Sequence, residues 1–377
     1  MIYPATIGIV GGGQLGKMLT VAAKKMGFLV IVTDPTPKSP AGQVADRQIV
    51  GGYKDAKTTR ELARLSDIVT IEAEFVNDEV LQEIADGGKP VHPSPKTIRL
   101  IKDKLRQKEF LRKNKIPTAE FLEIKNEEDI IKASKKFGYP IYLKAREDAY
   151  DGKGNYFLRS QKDIKKGLEK LKGRSLYVEK FVPFIKEIAI MVVRSTKGEI
   201  KAYPVVQTIH KDSVCDTVIA PAVISKKAKK NVTEIAQKTM QKLKDAGVFG
   251  IEMFLTKDEK ILINEIAPRV HNSGHYTIEA SVTSQFEQHV RAIAGLPLGS
   301  TDMIVKSAVM KNILGTSEGL GFPEGLERAL RIPGVSYHLY GKNETKKARK
   351  MGHITVVGNN IADCLEKAEK ARRVLVI

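Results

Sequence analysis

The chain has 377 residues, with 63 lysines and arginines against 44 aspartates and glutamates, and so carries a net charge of +19. This length exceeds one ordinary hydrophobic core, so about two to four domains of roughly 100–150 residues are expected. The basic charge comes without an aromatic-interleaved strip or a recognition-helix pattern. This favours a solvated, lysine-rich surface over nucleic-acid binding.

No segment approaches the ~18 consecutive apolar residues of a membrane span, and the sequence enters a strand at once without a charged leader. The two cysteines, Cys215 and Cys364, lie far apart and lack the CxxC spacing of a zinc site. These features predict a soluble, cytoplasmic protein that does not bind a membrane.

Residues 6–10 predict a short strand that runs into the glycines of residues 11–16, followed by an amphipathic helix. A second strand at residues 28–33 ends at Asp34, so the glycines and the later acid match the dinucleotide fingerprint. Taken alone, this motif predicts a nicotinamide dehydrogenase. Such glycines also let backbone N–H groups approach the phosphate of a substrate nucleotide, and tight packing without a ligand is a third interpretation.

A further strand at residues 68–72 lies between predicted helices at residues 56–65 and 77–85. Alternating strands and helices indicate a parallel sheet, whose ligands lie at the carboxyl ends of the strands. Glu72 and Glu74 occupy one such end, and Glu72 is the predicted substrate contact.

Two prolines and a helix at residues 102–113 mark the start of a second module. Lys144 lies on an otherwise apolar strand, where a solvated lysine is unfavourable, so we predict that it contacts nucleotide phosphates. Residues 150–154, Tyr-Asp-Gly-Lys-Gly, form a glycine-bearing loop of the kind that closes over phosphates. An ordinary hairpin turn is the alternative.

Two apolar strands, at residues 248–255 and from residue 261 onward, predict an antiparallel hairpin that brings Glu252 close to Glu265. Two carboxylates on a buried hairpin need a compensating cation. Mg²⁺ prefers hard oxygen ligands together with nucleotide phosphates, so Glu252, Asn264 and Glu265 form a candidate magnesium site. A pair of surface carboxylates is the alternative.

Residues 268–275 follow this hairpin and read Pro-Arg-Val-His-Asn-Ser-Gly-His. Arg269 supplies a fixed positive charge a few residues from the metal site, and His271 and His275 are two candidate proton acceptors. Together with the hairpin, this segment predicts the floor of a phosphate-transfer site.

The hairpin resembles the magnesium site of the ATP-grasp superfamily, and residues 268–275 closely resemble the signature of N5-carboxyaminoimidazole ribonucleotide synthetases. The resemblance implies an α/β, ATP-grasp fold with an N-terminal, biotin-carboxylase-like parallel-sheet domain and a small C-terminal domain. The expected domains are residues 1–97, residues 98–300 with a lid subdomain at about 118–182, and residues 301–377.

The same resemblance implies ATP- and bicarbonate-dependent carboxylation of 5-aminoimidazole ribonucleotide through carboxyphosphate, in de novo purine biosynthesis. Mg²⁺ is the expected cofactor, without NAD or biotin, and a homodimer is the expected assembly. The nearest alternative is a formate-dependent glycinamide ribonucleotide transformylase, which has the same domains but reads Arg-Pro-His-Asp-Thr-Gly in place of residues 268–275. Another ATP-grasp ligase and a non-catalytic nucleotide-binding regulator are further alternatives, although a regulator would need neither Arg269 nor His271.

The sequence and the resemblance together assign roles to individual residues. The predicted metal ligands are Glu252 and Glu265. The predicted catalytic residues are Arg269, His271, Tyr150 and Lys350. The predicted ATP-binding residues are Lys104, Lys144, Tyr150, Asp151, Gly152, Lys153, Gly154, Glu179, Lys180, Phe181, Val182, Glu187, His210, Asn264 and Glu265. The predicted substrate-binding residues are Gly12, Gly13, Gln14, Leu15, Glu72, Lys342, Arg349 and Lys350.

Some of these roles are more specific. Glu179 is expected to accept a hydrogen bond from the exocyclic amine of adenine, and Glu187 is expected to contact the ribose.

The sequence also departs from the family pattern. Asp148 and Ala149 stand where relatives have two glycines, which reduces the freedom of the loop to adopt positive φ. Lys346 replaces an arginine that can bind phosphate through two hydrogen bonds.

Overall fold

The structure is a computed structural model that describes residues 5–148 and 154–377. Its strands are β1 (Thr6–Val10), β2 (Leu29–Asp34), β3 (Arg47–Val50), β4 (Ile68–Ile71), β5 (Phe121–Glu123), β6 (Ile141–Ala145), β7 (Asn155–Leu158), β8 (Leu176–Lys180), β9 (Phe184–Arg194), β10 (Ile200–Ala202), β11 (Val206–Lys211), β12 (Val214–Ala220), β13 (Gly247–Thr256), β14 (Ile261–Ala267), β15 (Ser307–Leu314), β16 (Gly319–Leu320), β17 (Val335–Leu339), β18 (Glu344–Thr345) and β19 (Lys350–Gly358). Its helices are α1 (Gln14–Lys25), α2 (Ala56–Arg64), α3 (Asp78–Asp86), α4 (Pro95–Lys102), α5 (Lys104–Lys113), α6 (Glu127–Phe137), α7 (Ile164–Lys170), α8 (Lys226–Leu243), α9 (Thr277–Ala280), α10 (Gln285–Ile293), α11 (Leu326–Leu330) and α12 (Ile361–Val374). Within the described ranges, no helix combines the length and the apolar content needed to cross a membrane.

The N-terminal sheet has the strand order β3-β2-β1-β4, and its paired strands are all parallel. The predicted parallel sheet is therefore confirmed. Met18 and Leu19 of α1 share one hydrophobic core with Phe286 and Val290 of α10. Because α10 belongs to the central region of the chain, this shared core joins the N-terminal sheet to the rest of the protein.

The lid sheet is a small antiparallel sheet with the order β5-β8-β6-β7. Burial alternates along β6, so that Ile141, Leu143 and Ala145 are buried while Tyr142 and Lys144 are only partly buried. Successive side chains of a strand lie on opposite faces, so Lys144 shares the face opposite to the apolar core of the lid.

The central sheet is the largest, with the order β14-β13-β9-β11-β12-β15-β19-β17 and β10 paired to β9. Strands β15, β17 and β19 come from the C-terminal region, and helix α12 follows β19. The C-terminal strands extend the same sheet that carries the hairpin of β13 and β14. The chain therefore places its last strands beside its central ones.

The helix predicted at residues 102–113 corresponds to α5, which begins at Lys104. The separate helix α4 ends at Lys102, and between the two helices Asp103 has an extended backbone with φ −86° and ψ 106°. The Asp103 carboxylate accepts hydrogen bonds from the N–H groups of Leu105 (3.0 Å) and Arg106 (3.2 Å), which α5 would otherwise leave without partners. A new helix therefore begins at Lys104, a predicted nucleotide contact.

Candidate active site

A cleft of about 890 Å³ lies where the N-terminal, lid and central sheets meet. It collects most of the predicted site residues from positions that are far apart in the sequence. Those that line it are Gln14, Leu15, Glu72, Lys104, Lys144, Gly154, Glu179, Lys180, Phe181, Val182, Glu187, His210, Glu252, Asn264, Glu265, Arg269, His271 and Lys350. The predicted residues Tyr150, Asp151, Gly152 and Lys153 lie outside the described residues.

The hairpin of β13 and β14 brings the two predicted metal ligands together. Glu252 pairs directly with Glu265 across the hairpin, which confirms their predicted proximity. At the next position Met253 pairs with Ile263, so Asn264 is an extra residue on β14 and forms a β-bulge. The bulge re-aims the side chains of β14 locally, and Asn264 lines the cleft together with both glutamates.

The carboxylate pair is electrostatically unfavourable without a cation. Burial, followed by the charge of Glu265, raises the pKa of Glu252 to about 7. The nearest cationic neighbour of Glu265 is Lys104, whose Nζ lies 3.4 Å from Oε2, and His271 Nε2 lies 3.7 Å from Glu252 Oε1. Two carboxylates and the amide oxygen of Asn264 are the kind of donor set that Mg²⁺ prefers. These residues therefore fit a magnesium ion.

Two lysines, Lys144 on β6 of the lid and Lys108 on α5, flank the carboxylate of Glu179. Lys144 Nζ lies 3.0 Å from Glu179 Oε1, and Lys108 Nζ lies 2.8 Å from Glu179 Oε2. Burial opposes ionisation of Glu179, but the two lysines outweigh it and lower its pKa to about 2. Burial likewise opposes the charge of Lys144, and Glu179 outweighs it and raises the pKa of the lysine. Burial lowers the pKa of Lys108, and the charge of Glu179 opposes that shift.

Lys108 was not identified from the sequence, although a signal was present. It is 1% exposed and lies on the same side of α5 as the buried residues Leu105 and Leu111. A lysine at helical spacing between two leucines predicts a buried ammonium, which needs a carboxylate partner. The predicted contact of Glu179 with an adenine amine stays a prediction, since its two oxygens already face lysines.

The side of the cleft that is predicted to bind the nucleotide has an aromatic wall. Phe181 lies 5.7 Å from Phe157, and Phe157 lies 4.9 Å from Tyr142, measured between ring centroids. Phe184 and Phe254 also line the cleft and stack with centroids 4.7 Å apart and planes within 9°. These rings offer flat apolar surfaces of the kind that accommodate a base. Of the five, only Phe181 was singled out from the sequence.

Glu187 and His210, which are also predicted to bind the nucleotide, line the cleft and contact each other. His210 Nδ1 is 2.8 Å from Glu187 Oε2. Burial lowers the pKa of His210, but the hydrogen bond to Glu187 and the charge of Glu252 outweigh burial, so that the pKa is raised overall. The pair therefore couples β9 and β11 beside the carboxylates of the hairpin.

Arg269 is held by a carboxylate that the sequence analysis did not pair with it. Its Nε donates to Glu74 Oε2 (2.6 Å) and its Nη2 donates to Glu74 Oε1 (3.3 Å). Burial raises the pKa of Glu74, but the charges of Arg269 and Lys104 outweigh burial and lower it to about 2. The two-point contact fixes the plane of the guanidinium at the edge of the cleft.

The two histidines of residues 268–275 have different environments. His271 lines the cleft, with Nδ1 2.8 Å from Ser273 Oγ. Burial, followed by the charges of Arg269 and Lys350, lowers the pKa of His271 to about 3, so its ring is neutral at pH 7. His275 is 0% exposed, and its ring lies 4.8 Å from that of His353. The prediction that His275 is a proton acceptor beside the metal is wrong, because the turn after His271 directs it into the core.

The glycine loop is closed to an incoming anion. The N–H groups of Gly13 and Gly16 each donate to one oxygen of Glu72 at 2.7 Å, and Gly12 N–H donates to the Asp34 carboxylate at 3.2 Å. This corrects the expectation that the amides of Gly12 and Gly13 approach a substrate phosphate. A Cβ at Gly13 would come within 2.5 Å of Glu72 Oε1, so this close approach requires glycine.

The C-terminal region contributes Lys350, which lines the cleft at the start of β19. Lys342 Nζ donates to the backbone carbonyl of Lys350 at 2.7 Å and so lies next to it. Arg349 is exposed, and its Nη1 donates to the carbonyl of Glu344 at 2.8 Å. The structure thus brings Lys350 to the cleft, whereas Lys342 and Arg349 are not among its lining residues.

A parallel N-terminal sheet, an antiparallel lid and a carboxylate hairpin around one cleft define an ATP-grasp protein. Models of protein families agree along the chain. The ATP-grasp domain matches residues 109–286, the ribonucleotide synthetase preATP-grasp domain matches residues 4–102, and the phosphoribosylaminoimidazole carboxylase C-terminal domain matches residues 308–367.

Comparison with individual relatives indicates which family of ATP-grasp proteins the chain resembles. The chain is 40% identical to an N5-carboxyaminoimidazole ribonucleotide synthase of Synechococcus elongatus over 98% of this chain and 93% of the relative. It is 43% identical to a phosphoribosylaminoimidazole carboxylase of Ogataea methanolica over 95% of this chain and 67% of the relative. The chain spans about two thirds of the length of this and the other fungal carboxylases that it matches.

Solved structures agree with these relatives. The N5-carboxyaminoimidazole ribonucleotide synthetase of Thermotoga maritima is 50% identical, with a TM-score of 0.90 and 99% coverage of both chains. The Aspergillus clavatus N5-carboxyaminoimidazole synthase, solved with ADP and 5-aminoimidazole ribonucleotide, is 39% identical, with a TM-score of 0.92 and the same coverage. The chain therefore belongs to the family of N5-carboxyaminoimidazole ribonucleotide synthases, which are ATP-grasp ligases.

Proposed function

We propose that the protein uses ATP and bicarbonate to carboxylate 5-aminoimidazole ribonucleotide, forming N5-carboxyaminoimidazole ribonucleotide in de novo purine biosynthesis. Family membership supports the reaction class. The observation that carries the proposal is the position of the Glu252–Glu265 pair, which lies in one cleft with Lys104, Lys144 and Arg269.

The reaction needs two transfers. An oxygen of bicarbonate attacks the γ-phosphorus of ATP, the bond to the β-phosphate oxygen breaks, and carboxyphosphate and ADP form. The amine nitrogen of the ribonucleotide then attacks the carboxyl carbon of carboxyphosphate, the bond from that carbon to the phosphate oxygen breaks, and phosphate leaves. The amine nitrogen loses a proton. Lys104 and Lys144 are proposed to bind the phosphates and to stabilise the charge that moves during the first transfer.

Glu252 and Glu265, with Asn264 beside them, are proposed to hold Mg²⁺. The bound ion would neutralise phosphate oxygens of the nucleotide. Support comes from the donor set and from the raised pKa of Glu252, which is caused by burial and then by the charge of Glu265.

The aromatic wall is proposed to hold adenine, with the backbone of Lys180 and Val182 beside it and with Glu187 and His210 at the ribose. Support comes from the presence of these residues among those that line the cleft. Gly154 and the preceding residues 150–153 are proposed to close over the phosphates, with Tyr150 also acting in catalysis.

Arg269 is proposed to hold the carboxyphosphate, and its rigid contact with Glu74 supports this role because a fixed guanidinium costs no reorganisation during reaction. His271 is proposed to accept the amine proton. Its ring is neutral and therefore able to accept, and the negative charge of carboxyphosphate nearby would raise its low pKa toward a useful value.

Gln14, Leu15 and Glu72 are proposed to contact the ribonucleotide from the N-terminal side, with Lys342, Arg349 and Lys350 at its phosphate. Support comes from the positions of Gln14, Leu15, Glu72 and Lys350 on the cleft. We further propose a cytoplasmic homodimer with domains at residues 1–97, 98–300 and 301–377. The three family models match separate ranges that fall near these bounds, which supports the division.

The test is ADP release measured with 5-aminoimidazole ribonucleotide and bicarbonate present together and with each omitted in turn. Full release is expected only with both. If formate and glycinamide ribonucleotide drive ADP release while bicarbonate does not, the transformylase alternative is correct and the proposal fails.

A further inference from the structure

Lys108 is a fully buried lysine immediately behind the nucleotide side of the cleft. Its Nζ lies 2.8 Å from Glu179 Oε2, 2.8 Å from Thr118 Oγ1 and 3.3 Å from the carbonyl oxygen of Ile263. It is 1% exposed and is not among the residues that line the cleft. Direct contact with a ligand is therefore excluded, and any effect of Lys108 on the site must pass through its partners.

The first partner, Glu179, is shared between two lysines. Lys108 takes one carboxylate oxygen, and Lys144, which lines the cleft, takes the other. One carboxylate between two ammonium groups leaves a net charge of +1 for the set. Without Lys108, Glu179 and Lys144 would form a neutral pair, and the cleft would lose most of the attraction that Lys144 exerts on an anion.

The second partner belongs to the carboxylate hairpin. Ile263 lies on β14 directly before the bulge that carries Asn264, and its carbonyl also accepts a hydrogen bond from Thr118. One residue earlier in α5, the Gln107 amide donates to the carbonyl of Ile266 and accepts from its N–H. Helix α5 thus binds the open edge of β14, while Lys108 also binds strand β8 of the lid.

We propose that Lys108 is a positioning residue for the nucleotide site: it holds one oxygen of Glu179, so that Lys144 keeps its positive charge available to the nucleotide phosphates, and it fixes β8 of the lid against β14. This inference rests on the proposed ATP site. Lys108 acts through Glu179 and Lys144 and has no contact with the nucleotide itself.

The test compares binding of ATP and adenosine to Lys108→Met by calorimetry. Loss of one positive charge from the set is expected to weaken ATP binding by about tenfold or more. An interaction strong enough to shift a pKa by one unit changes a binding constant by about tenfold. Adenosine, which has no phosphate, should bind within about twofold of the wild type. Equal weakening of both ligands would overturn the proposal, because a general loss of structure has that effect.

A double variant separates charge from packing. Lys108→Met with Glu179→Gln leaves Lys144 as the only charge of the set and restores +1, so the ratio of ATP affinity to adenosine affinity should recover to within a few-fold of the wild-type ratio. Adenosine binding to the same variant accounts for the loss of a contact between Glu179 and the adenine amine. If Lys108→Met alone does not fold, the double variant, in which the one remaining charge, Lys144, lines the cleft, still decides the matter. A ratio in the double variant that stays tenfold or more below the wild-type ratio contradicts the proposal.

Lys311 provides a matched control. It is 2% exposed, its Nζ lies 2.9 Å from Asp216 and 2.7 Å from Glu369, and it is not among the residues that line the cleft. Lys311→Met removes a comparable buried ammonium and should leave ATP affinity unchanged. Wild-type protein that fails to bind ATP contradicts the proposed function itself, whereas wild-type binding with an unaffected Lys108→Met variant contradicts only this inference.

Discussion

Arg269 and Glu74 form a two-point ion pair across the cleft, with Nε 2.6 Å from Oε2 and Nη2 3.3 Å from Oε1. The two residues are 195 positions apart in the sequence. Glu74 follows the last strand of the parallel sheet, and Arg269 follows the hairpin of the central sheet. The pair therefore fixes the orientation of the Arg269 guanidinium through contact with the N-terminal region.

The first prediction concerns this pair. Glu74→Gln keeps the shape of the side chain but removes the charge that orients Arg269, so kcat should fall by about tenfold to a hundredfold. ATP affinity should change by no more than a few-fold, because Lys104 and Lys144 are untouched. Steady-state kinetics and calorimetry on one preparation measure both quantities.

Glu83 is the matched control for Glu74, since it forms an ion pair with Arg60 on the surface of the same region, at 2.7 Å. Glu83→Gln should leave kcat unchanged. A Glu74→Gln variant that turns over at the wild-type rate would show that Arg269 needs no partner.

The second prediction concerns the metal. Glu265→Gln removes one of the two carboxylate charges without changing the shape, so Mg²⁺-dependent ADP release should fall by about a hundredfold or more. Asp258→Asn, at the exposed turn of the same hairpin, removes a carboxylate that pairs with Lys260 and should have no effect on turnover. Titration with Mn²⁺, followed by its paramagnetic signal, measures metal affinity independently of turnover. Unchanged Mn²⁺ affinity in Glu265→Gln would refute the assignment.

The third prediction concerns pH and stability. His289 is buried, with Nδ1 accepting from Val248 N–H and Nε2 bound to Thr70, and burial lowers its pKa to about 3. Burial also holds the pKa of His275 and His353 well below the ordinary value of 6.5. These rings are neutral in the fold, whereas the unfolded chain binds protons below about pH 6.5.

Their stabilising effect is therefore complete above pH 6.5 and decreases as the pH falls below that value. Each such histidine contributes a slope of up to about 1.4 kcal/mol per pH unit to the free energy of unfolding. Urea unfolding at several values from pH 7.5 to pH 5 measures the slope. His289→Gln should reduce the slope by up to about 1.4 kcal/mol per pH unit, which is the contribution of one bound proton. A free energy of unfolding that stays constant from pH 7.5 to pH 5 would contradict the assignment of neutral, buried histidines.

The fourth prediction concerns the glycine loop. Because Glu72 occupies the N–H groups of Gly13 and Gly16, the pyrophosphate of a dinucleotide has no anion site there. Calorimetry with NAD and with NADP should show no binding. Micromolar affinity for either compound would revive the dehydrogenase interpretation of the N-terminal motif.

Local periodicity predicted the elements whose pattern is strong. The parallel sheet, the hairpin of β13 and β14, and helix α1 follow from apolar runs, alternation and helical spacing within short windows. Helix α5 begins two residues later than predicted, because the capping side chain of Asp103 interrupts a helical pattern that the sequence continues. Strand β19 was missed because a basic, glycine-containing run hides its apolar second half.

The site was predictable wherever a chemical group stood out against its neighbours, as Lys144 and Glu252 do on apolar strands. It was not predictable where the partner is distant in the sequence. The pairing of Glu74 with Arg269, the burial of Lys108 and the closure of the glycine loop by Glu72 depend on contacts across 56 to 195 residues. The bulge at Asn264 depends on a register that only the paired strands define.

The central claim is that bicarbonate is activated as carboxyphosphate in this cleft. The most direct measurement supplies ¹⁸O-labelled bicarbonate with ATP and 5-aminoimidazole ribonucleotide and follows the label in the released phosphate by ³¹P NMR. The bicarbonate oxygen that attacks the γ-phosphorus stays on phosphate when the carboxyl carbon moves to the amine. The account predicts one ¹⁸O atom in each phosphate, formed in step with ADP. Release of unlabelled phosphate during carboxylation would contradict it.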